Sequence, residues 1–380
     1  MGERRDELIG QDEAVRVVEA AAADPATLAH SWLITGPPGS GRSTLAYAFA
    51  ALLLSQGEDD GGARARAMVA NRTHPDLAVL ATDRVVITME EVRRLVAASQ
   101  YSPSLARWRV VVIEDADRMA ERTSNVLLKA LEEPPPRTVW ILCAPSEADL
   151  LPTIRSRVRT LRLRVPPVED VARLLVARDG VDPALAERAA REAQSHIGMA
   201  LRLATDAEAR ARRERTVELA LRIRDAGDAA RTAAELLELA KADAEAYGAQ
   251  QDEAEREALL RSLGVEPGGT LPPQLRSQLR QLEDDQKRRA TRSLRDGVDR
   301  VLVDLLSVQR DILLVGLGSD ADLVNRGAEA AIREAAARFP PAAALRALDA
   351  VALARRRIDG NVPPLLALEA MLMSFRGVGR

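Results

Sequence analysis

One stretch constrains this chain more than any other: Gly36, Pro37, Pro38, Gly39, Ser40, Gly41, Arg42 and Ser43, with Thr44 directly after. An apolar run, Ser31-Trp-Leu-Ile-Thr35, precedes it, and the helix-like segment Thr44-Leu-Ala-Tyr-Ala-Phe-Ala-Ala-Leu-Leu-Leu54 follows. A strand, a glycine-rich turn and a helix N-terminus together form a phosphate cradle, because backbone N–H groups and the helix dipole both face an anion there. The spacing fits the pattern G-x-x-x-x-G-K-[ST] at every position but one. Arg42 stands where a lysine would reach the β- and γ-phosphates, and a planar guanidinium does not replace a compact ammonium. A glycine-rich turn that merely caps a helix accounts for the glycines, but not for the ordered spacing that ends at Ser43.

A second constraint lies downstream. Arg109-Val-Val-Val-Ile113 reads as a buried parallel strand, and it ends in Glu114 and Asp115. Acids at that end of a strand sit at the crevice where α/β sheets bind ligands. An ATPase of this class ends the strand in Asp-Glu, the first acid helping to hold magnesium and the second polarising water. Here the order is inverted. Each side chain is a methylene wrong in opposite directions, beyond the about 0.5 Å tolerance of a working site.

Further apolar runs at Asp76–Leu80, Val85–Ile87 and Thr138–Ala144 alternate with helical patterns at Met89–Ser99 and about Glu121–Glu133, the latter stopped by Pro134, Pro135 and Pro136. This alternation predicts a parallel sheet with helices on both faces, an α/β core of the phosphate-loop NTPase kind over residues 1–165. The polar, glycine-rich stretch from Ser55 to Arg72 reads as an exposed excursion. Pro166 and Pro167 mark a change of regime: three short helical patterns follow to about Asp206, then an all-helical remainder over 207–380. In that remainder Ala233–Leu263 and Gln274–Arg295 read as long charged helices, and Val298–Val315 as a largely buried one.

Composition narrows the function classes. Aromatic residues are only 2% of the chain, so its cores are expected to be mainly helical and built from Ala and Leu. A net charge of -3 gives no global electrostatic reason for tight nucleic-acid binding by the isolated chain. Cys143 is the only cysteine, which rules out an intramolecular disulfide and a cysteine-rich zinc site. The N-terminal residues lack a signal-peptide pattern, and no apolar run nears the roughly 20 residues of a membrane span, so a cytoplasmic protein is expected. His30, His74 and His196 are far apart in sequence and read as structural or surface residues, and Cys143 as inert core.

The phosphate loop, the run Asn125-Val-Leu-Leu-Lys-Ala-Leu-Glu-Glu-Pro-Pro135 and the segment Ile154-Arg-Ser-Arg-Val158 together resemble a bacterial clamp-loader subunit of the AAA+ superfamily. Within that family they are most similar to the delta-prime branch, of actinobacterial type, in which degenerate ATP motifs stand beside an intact Ser-Arg pair. The likeness covers about Glu7 to Asp206. Beyond that it rests mainly on Asn361-Val-Pro-Pro-Leu-Leu-Ala-Leu-Glu369. The resemblance implies an AAA+ core, a small helical lid over 166–206 and an all-α C-terminal collar that joins five subunits into a ring. It implies delta and gamma/tau-type clamp-loader subunits as partners, a sliding clamp and primed DNA reached through the complex, and no membrane. It implies that Arg157, next to Ser156, is an arginine finger acting in trans on a neighbour's ATP. Val158 stands where the family has a cysteine. The four-cysteine zinc module of many relatives is missing, so no metal is expected. The first sensor position falls among Ala144, Pro145 and Ser146, and the lid arginine near Gly198 and Met199, with only Arg202 close by. Each of those losses removes a nucleotide contact, so ATP or ADP binding is expected to be weak or absent. A solvated arginine in the basic strand formed with Arg155, Arg159, Arg162 and Arg164 is the plainer alternative for Arg157. Two other functions stay open: an active AAA+ subunit of the same machine, marked by turnover in the isolated chain, and a helicase-loader or recombination ATPase, which would need intact acids where Glu114 and Asp115 stand.

Overall fold

A computed structural model describes residues 8–56, 62–82, 86–262 and 276–375, with the backbone alone described over 247–262, 276–285 and 287–289. The chain divides into two compact units, Met1–Thr205 and Asp206–Arg380.

The first unit is built on five parallel strands: β1 (Ser31–Thr35), β2 (Leu77–Leu80), β3 (Arg109–Ile113), β4 (Thr138–Ala144) and β5 (Arg159–Arg162), in the order β2-β3-β4-β1-β5. Helices α1 (Asp12–Ala23), α2 (Arg42–Leu54), α3 (Ala63–Ala70), α4 (Met89–Ser99) and α5 (Glu121–Glu132), with the single turn α6 (Pro152–Arg155), connect them. This is the expected α/β core, a parallel sheet with helices on both faces. The period of two along each strand sends alternate residues to opposite faces. Val110 and Val112 of β3 join Ile141 and Cys143 of β4 against α2, whereas Val111 and Ile113 join Trp140 and Leu142 on the other face with Leu127 of α5. β1, β3 and β4 are buried along their whole length, which is why they read as unbroken apolar runs. Trp32 meets Phe49 edge-on, with ring centroids 5.1 Å apart.

Three expectations need correction. The excursion after α2 contains a helix: α3, Ala-Arg-Ala-Arg-Ala-Met-Val-Ala, is made of good helix formers and buries Ala65 and Val69. Residues 57–61 of that excursion lie outside the described residues. Of the strand expected at Val85–Ile87, Val85 lies outside the described residues, and Ile87 forms only an isolated bridge to Met119. The long helices of the C-terminal part also differ, as described below.

Three helices complete the first unit, where the lid was expected: α7 (Val168–Asp179), α8 (Pro183–Glu192) and α9 (Ile197–Thr205). Gly180, at φ +66°, closes α7 in the left-handed conformation that suits glycine, and the Asp182 side chain accepts the Leu185 N–H to open α8.

The second unit is all helix: α10 (Ala207–Arg222), α11 (Ala226–Ser262), α12 (Arg276–Gly316), α13 (Glu329–Arg338), α14 (Pro341–Asp359) and α15 (Pro364–Met373). Helix α12 is one continuous element where two were expected, because Gly297 lies within it without breaking it. Gln274 and Leu263, the outer bounds of the expected helices, lie outside the described residues. One hydrophobic cluster runs through α10 to α15 and includes Leu236, Leu305, Val351 and Leu368. After α12 the chain is tied back by Asp311, which is fully buried and accepts the Asn325 N–H at 2.8 Å, while the Arg213 guanidinium donates to the Asn325 side chain at 2.7 Å. Among the described residues no helix is long and apolar enough to cross a membrane.

Candidate functional site

The phosphate loop leaves the C-terminal end of β1 and enters α2, as its sequence requires. Gly39 and Gly41 have φ of +77° and +91°, a conformation that an L side chain would strain. The Gly36 N–H donates to the Pro145 carbonyl at 3.2 Å, which gives the turn after β4 a backbone task. Ser146 caps the next turn, its hydroxyl accepting the Ala148 N–H.

Side chains at this loop are engaged with one another. Arg42 turns back on its own loop, Nη1 donating to the Gly36 carbonyl at 2.5 Å. The Ser43 hydroxyl donates to Glu114 Oε2 at 3.3 Å, and the Tyr47 hydroxyl to Glu114 Oε1 at 2.5 Å. Arg72 places Nη2 2.8 Å from the same Oε1, with its guanidinium carbon 5.1 Å from the centre of the Tyr47 ring. Burial, and then the hydrogen bond to the Glu114 carboxylate, push the Tyr47 phenol well above its ordinary range, so it stays a donor. Asp115 faces Arg118 at 3.5 Å rather than Glu114's partners. Asp117 is held above the usual carboxylate range, first by burial and then by the Asp115 charge. Cys143 is fully buried in β4 and its thiol is pushed up to about 12 by burial, so the thiolate needed for reaction is scarce.

Three residues that the sequence left out belong to this cluster. Tyr47 was legible, since it lies one helical turn after Ser43 and so on the same face. Arg72 follows α3 and reaches Glu114 only because that helix exists. His196 opens the last helix of the first unit, its Nδ1 accepting the Met199 N–H at 3.2 Å, and its ring lies so close to Gly39 that a Cβ there would stand 2.4 Å from the ring carbon Cγ. No local pattern links positions 39 and 196, so only the fold brings them together.

Arg157 follows α6, its side chain about one-third exposed. It is paired within the chain: Nε donates to Glu132 Oε1 at 2.6 Å and Nη2 lies 2.5 Å from the same oxygen. Nη1 donates to the Thr153 carbonyl at 2.6 Å and to the Ser156 hydroxyl at 2.9 Å. The neighbouring arginines differ. Arg159 lies over Trp32 at 4.9 Å, Arg162 pairs with Glu147 and Arg164 with Glu13.

Residues 10–167 match the family described as DNA polymerase III, delta subunit. The chain is 39% identical over 135 residues to the DNA polymerase III subunit delta' of Pseudomonas aeruginosa, a match that covers 34% of this chain and 41% of that protein. It is 33% identical over 156 residues to the subunit of the same name from Escherichia coli, covering 40% and 46%. The DNA polymerase III subunit gamma/tau of Mycobacterium tuberculosis is 29% identical over 174 residues, covering 44% of this chain and 30% of that one. The chain thus spans less than half the length of these curated relatives. A solved structure, a DNA polymerase III gamma subunit-related protein from Thermotoga maritima, aligns with a TM-score of 0.41 and 16% identity over 95% of this chain and 97% of that one.

Proposed function

We propose, from the premise that residues 10–167 belong to the DNA polymerase III delta-subunit family, that this chain is a delta-prime-type subunit of a bacterial clamp loader. It works in the cytoplasm within a hetero-oligomeric ring of delta and gamma/tau-type subunits that places a sliding clamp on primed DNA. Its own nucleotide site turns over little or not at all, and Arg157 serves ATP held by the adjoining subunit.

The observation that carries this reading is the state of Glu114. A divalent cation bound between Ser43 and this acid would need their oxygen lone pairs. Glu114 instead accepts hydrogen bonds from two hydroxyls and pairs with a guanidinium, so Arg72 already supplies the positive charge. Arg42 spends a donor on Gly36 rather than holding it toward a phosphate. These residues do not fit magnesium-assisted hydrolysis. An exposed guanidinium, by contrast, can stabilise phosphoryl-transfer charge in trans, an effect of roughly 10³ to 10⁵ in known cases. Support for Arg157 in that role comes from its place after the last helix of the core, beside Ser156. The test is a reconstituted complex in which only the adjoining partner keeps a working phosphate loop. Arg157→Ala should leave assembly intact and slow ATP hydrolysis, and Arg157→Lys should not fully restore it, because a point charge cannot reproduce the planar fork. Equal rates with Arg157 and Ala would refute the trans role. In the isolated chain, hydrolysis should not exceed that of Ser43→Ala, and robust turnover lost on that substitution would favour the active-ATPase alternative.

A further inference from the structure

Glu132 is the last residue of α5, and Glu133 follows it. A carboxylate at a helix C-terminus opposes the helix dipole, which favours a cation there. Local helix energetics therefore do not explain an acid at this position. Its partner does. Both Nε and Nη2 of Arg157 converge on one oxygen of Glu132, and Nη1 is turned onto Thr153 and Ser156. All three guanidinium nitrogens thus face acceptors of this same chain. Recognition of a phosphate needs two parallel N–H groups pointing outward as a fork. In the conformation seen here Arg157 does not offer one.

We propose that Glu132 is a latch on Arg157, holding the guanidinium against its own chain until the anionic phosphate of an adjoining subunit's nucleotide displaces the carboxylate. This rests on the trans reading of Arg157 given above. The pair is partly solvated, with side chains 32% and 45% exposed, so it is a weak restraint that a multiply charged anion can outcompete. Its use is to keep the arginine from open solvent and from other carboxylates before the ring assembles. Glu132 acts through Arg157 and is therefore a positioning residue.

The latch is testable in the full-length chain without partners. Phenylglyoxal modifies accessible guanidinium groups, and mass spectrometry gives the rate at Arg157 relative to the exposed Arg155 nearby. Glu132→Ala should raise the relative rate at Arg157 by about two- to fivefold, the range expected for releasing an exposed ion pair. Glu132→Gln keeps the side-chain shape but removes the charge, and should give an intermediate rise. An unchanged rate in both variants would overturn the latch. In the reconstituted complex at limiting ATP, Glu132→Ala should increase kcat/KM by a similar factor, and the increase should vanish in an Arg157→Ala background. If labelling rises but neither Arg157→Ala nor Glu132→Ala changes hydrolysis, the trans role fails and the latch with it, leaving Glu132 as a plain intrachain restraint on Arg157. If Arg157→Ala slows hydrolysis and Glu132→Ala does not change it, displacement by the nucleotide is wrong.

Discussion

Asp76 exposes no surface, and its two oxygens organise the turn before β3. Oδ1 accepts the Ser104 N–H at 2.6 Å and faces the Arg109 guanidinium at 3.4 Å, while Oδ2 accepts the N–H groups of Leu105 and Ala106 at 2.7 and 2.8 Å. Burial opposes the charge, but the backbone donors of Ala106, Ser104 and Leu105 outweigh it and hold the carboxyl below its ordinary value of 3.8. A carboxyl depressed on folding contributes stability that is present in full above that ordinary value and lost as pH falls through the lower folded one. Asp76→Asn would turn an amide N–H₂ toward donors and leave Arg109 without its charge partner. It should cost roughly 3 kcal/mol at neutral pH, by analogy with other broken buried pairs. Urea denaturation at pH 7 and again near pH 3 provides the check, with the difference between the two proteins shrinking at the lower pH. An equal difference at both values would place the stabilisation elsewhere. Asp76 was legible only as the polar start of a strand. Its burial depends on a turn 28 residues away in sequence, and periodicity carries no information about such a partner.

The elements that sequence located best are those with their boundaries written locally. Thr88 and Glu91 form a reciprocal capping box at the start of α4, a pairing that the pattern [ST]-x-x-[DE] announces. Pro134 and Pro135 end α5 because proline cannot continue the ladder. The phosphate loop belongs with these, since strand, glycines and helix are contiguous. Helix α3 was missed because glycines just before it suggested loop throughout, and α12 was divided because its charged first part and its apolar second part read as two helices. Gly297 permits a close crossing: a Cβ there would stand 2.7 Å from the Ala240 backbone carbonyl oxygen in α11. A helix-interior glycine normally gains about 1 kcal/mol on replacement by alanine, but here the neighbouring backbone would have to move. Gly297→Ala should therefore be destabilising, and Gly297→Val should cost about 1–3 kcal/mol, as overpacking does. The control is Gly227→Ala near the start of α11, where the added Cβ meets only the side chains of Arg231 and Asp225. Hydrogen exchange in α11 and α12 would report the difference, with faster exchange for the Gly297 variants and none for the control. Slower exchange in Gly297→Ala would mean that propensity outweighs packing.

At the scale of the whole molecule, the two units have separate cores. The hydrophobic clusters of the first lie within residues 8–163, and that of the second within 217–375. The first unit was readable because strand–helix alternation has a strong period and its site is local in sequence. The second was readable as helical but not in its pairings, because Ala-rich helices with charged faces fit several neighbours equally well. If the C-terminal unit is the collar, it supplies assembly, whereas the first unit carries Arg157 and the Gly36–Ser43 loop. Residues 1–206 should then fold without the remainder, since their cores contain the parallel sheet and both layers of helices. Helical and β content by circular dichroism and a cooperative thermal transition would establish that fold. The truncated chain should nevertheless fail to join gamma/tau- and delta-type partners at concentrations where the full chain does. Arg157, although correctly built in the fragment, should then give no stimulation of partner ATP hydrolysis, because placing it at a neighbour's nucleotide depends on the ring rather than on its own fold. Size-exclusion chromatography with the partners, and ATPase of the mixture, measure both consequences. Co-elution of the folded fragment at full-length affinity would move the assembly role to the first unit. Stimulation without co-elution would show that Arg157 reaches a partner's nucleotide through a transient encounter.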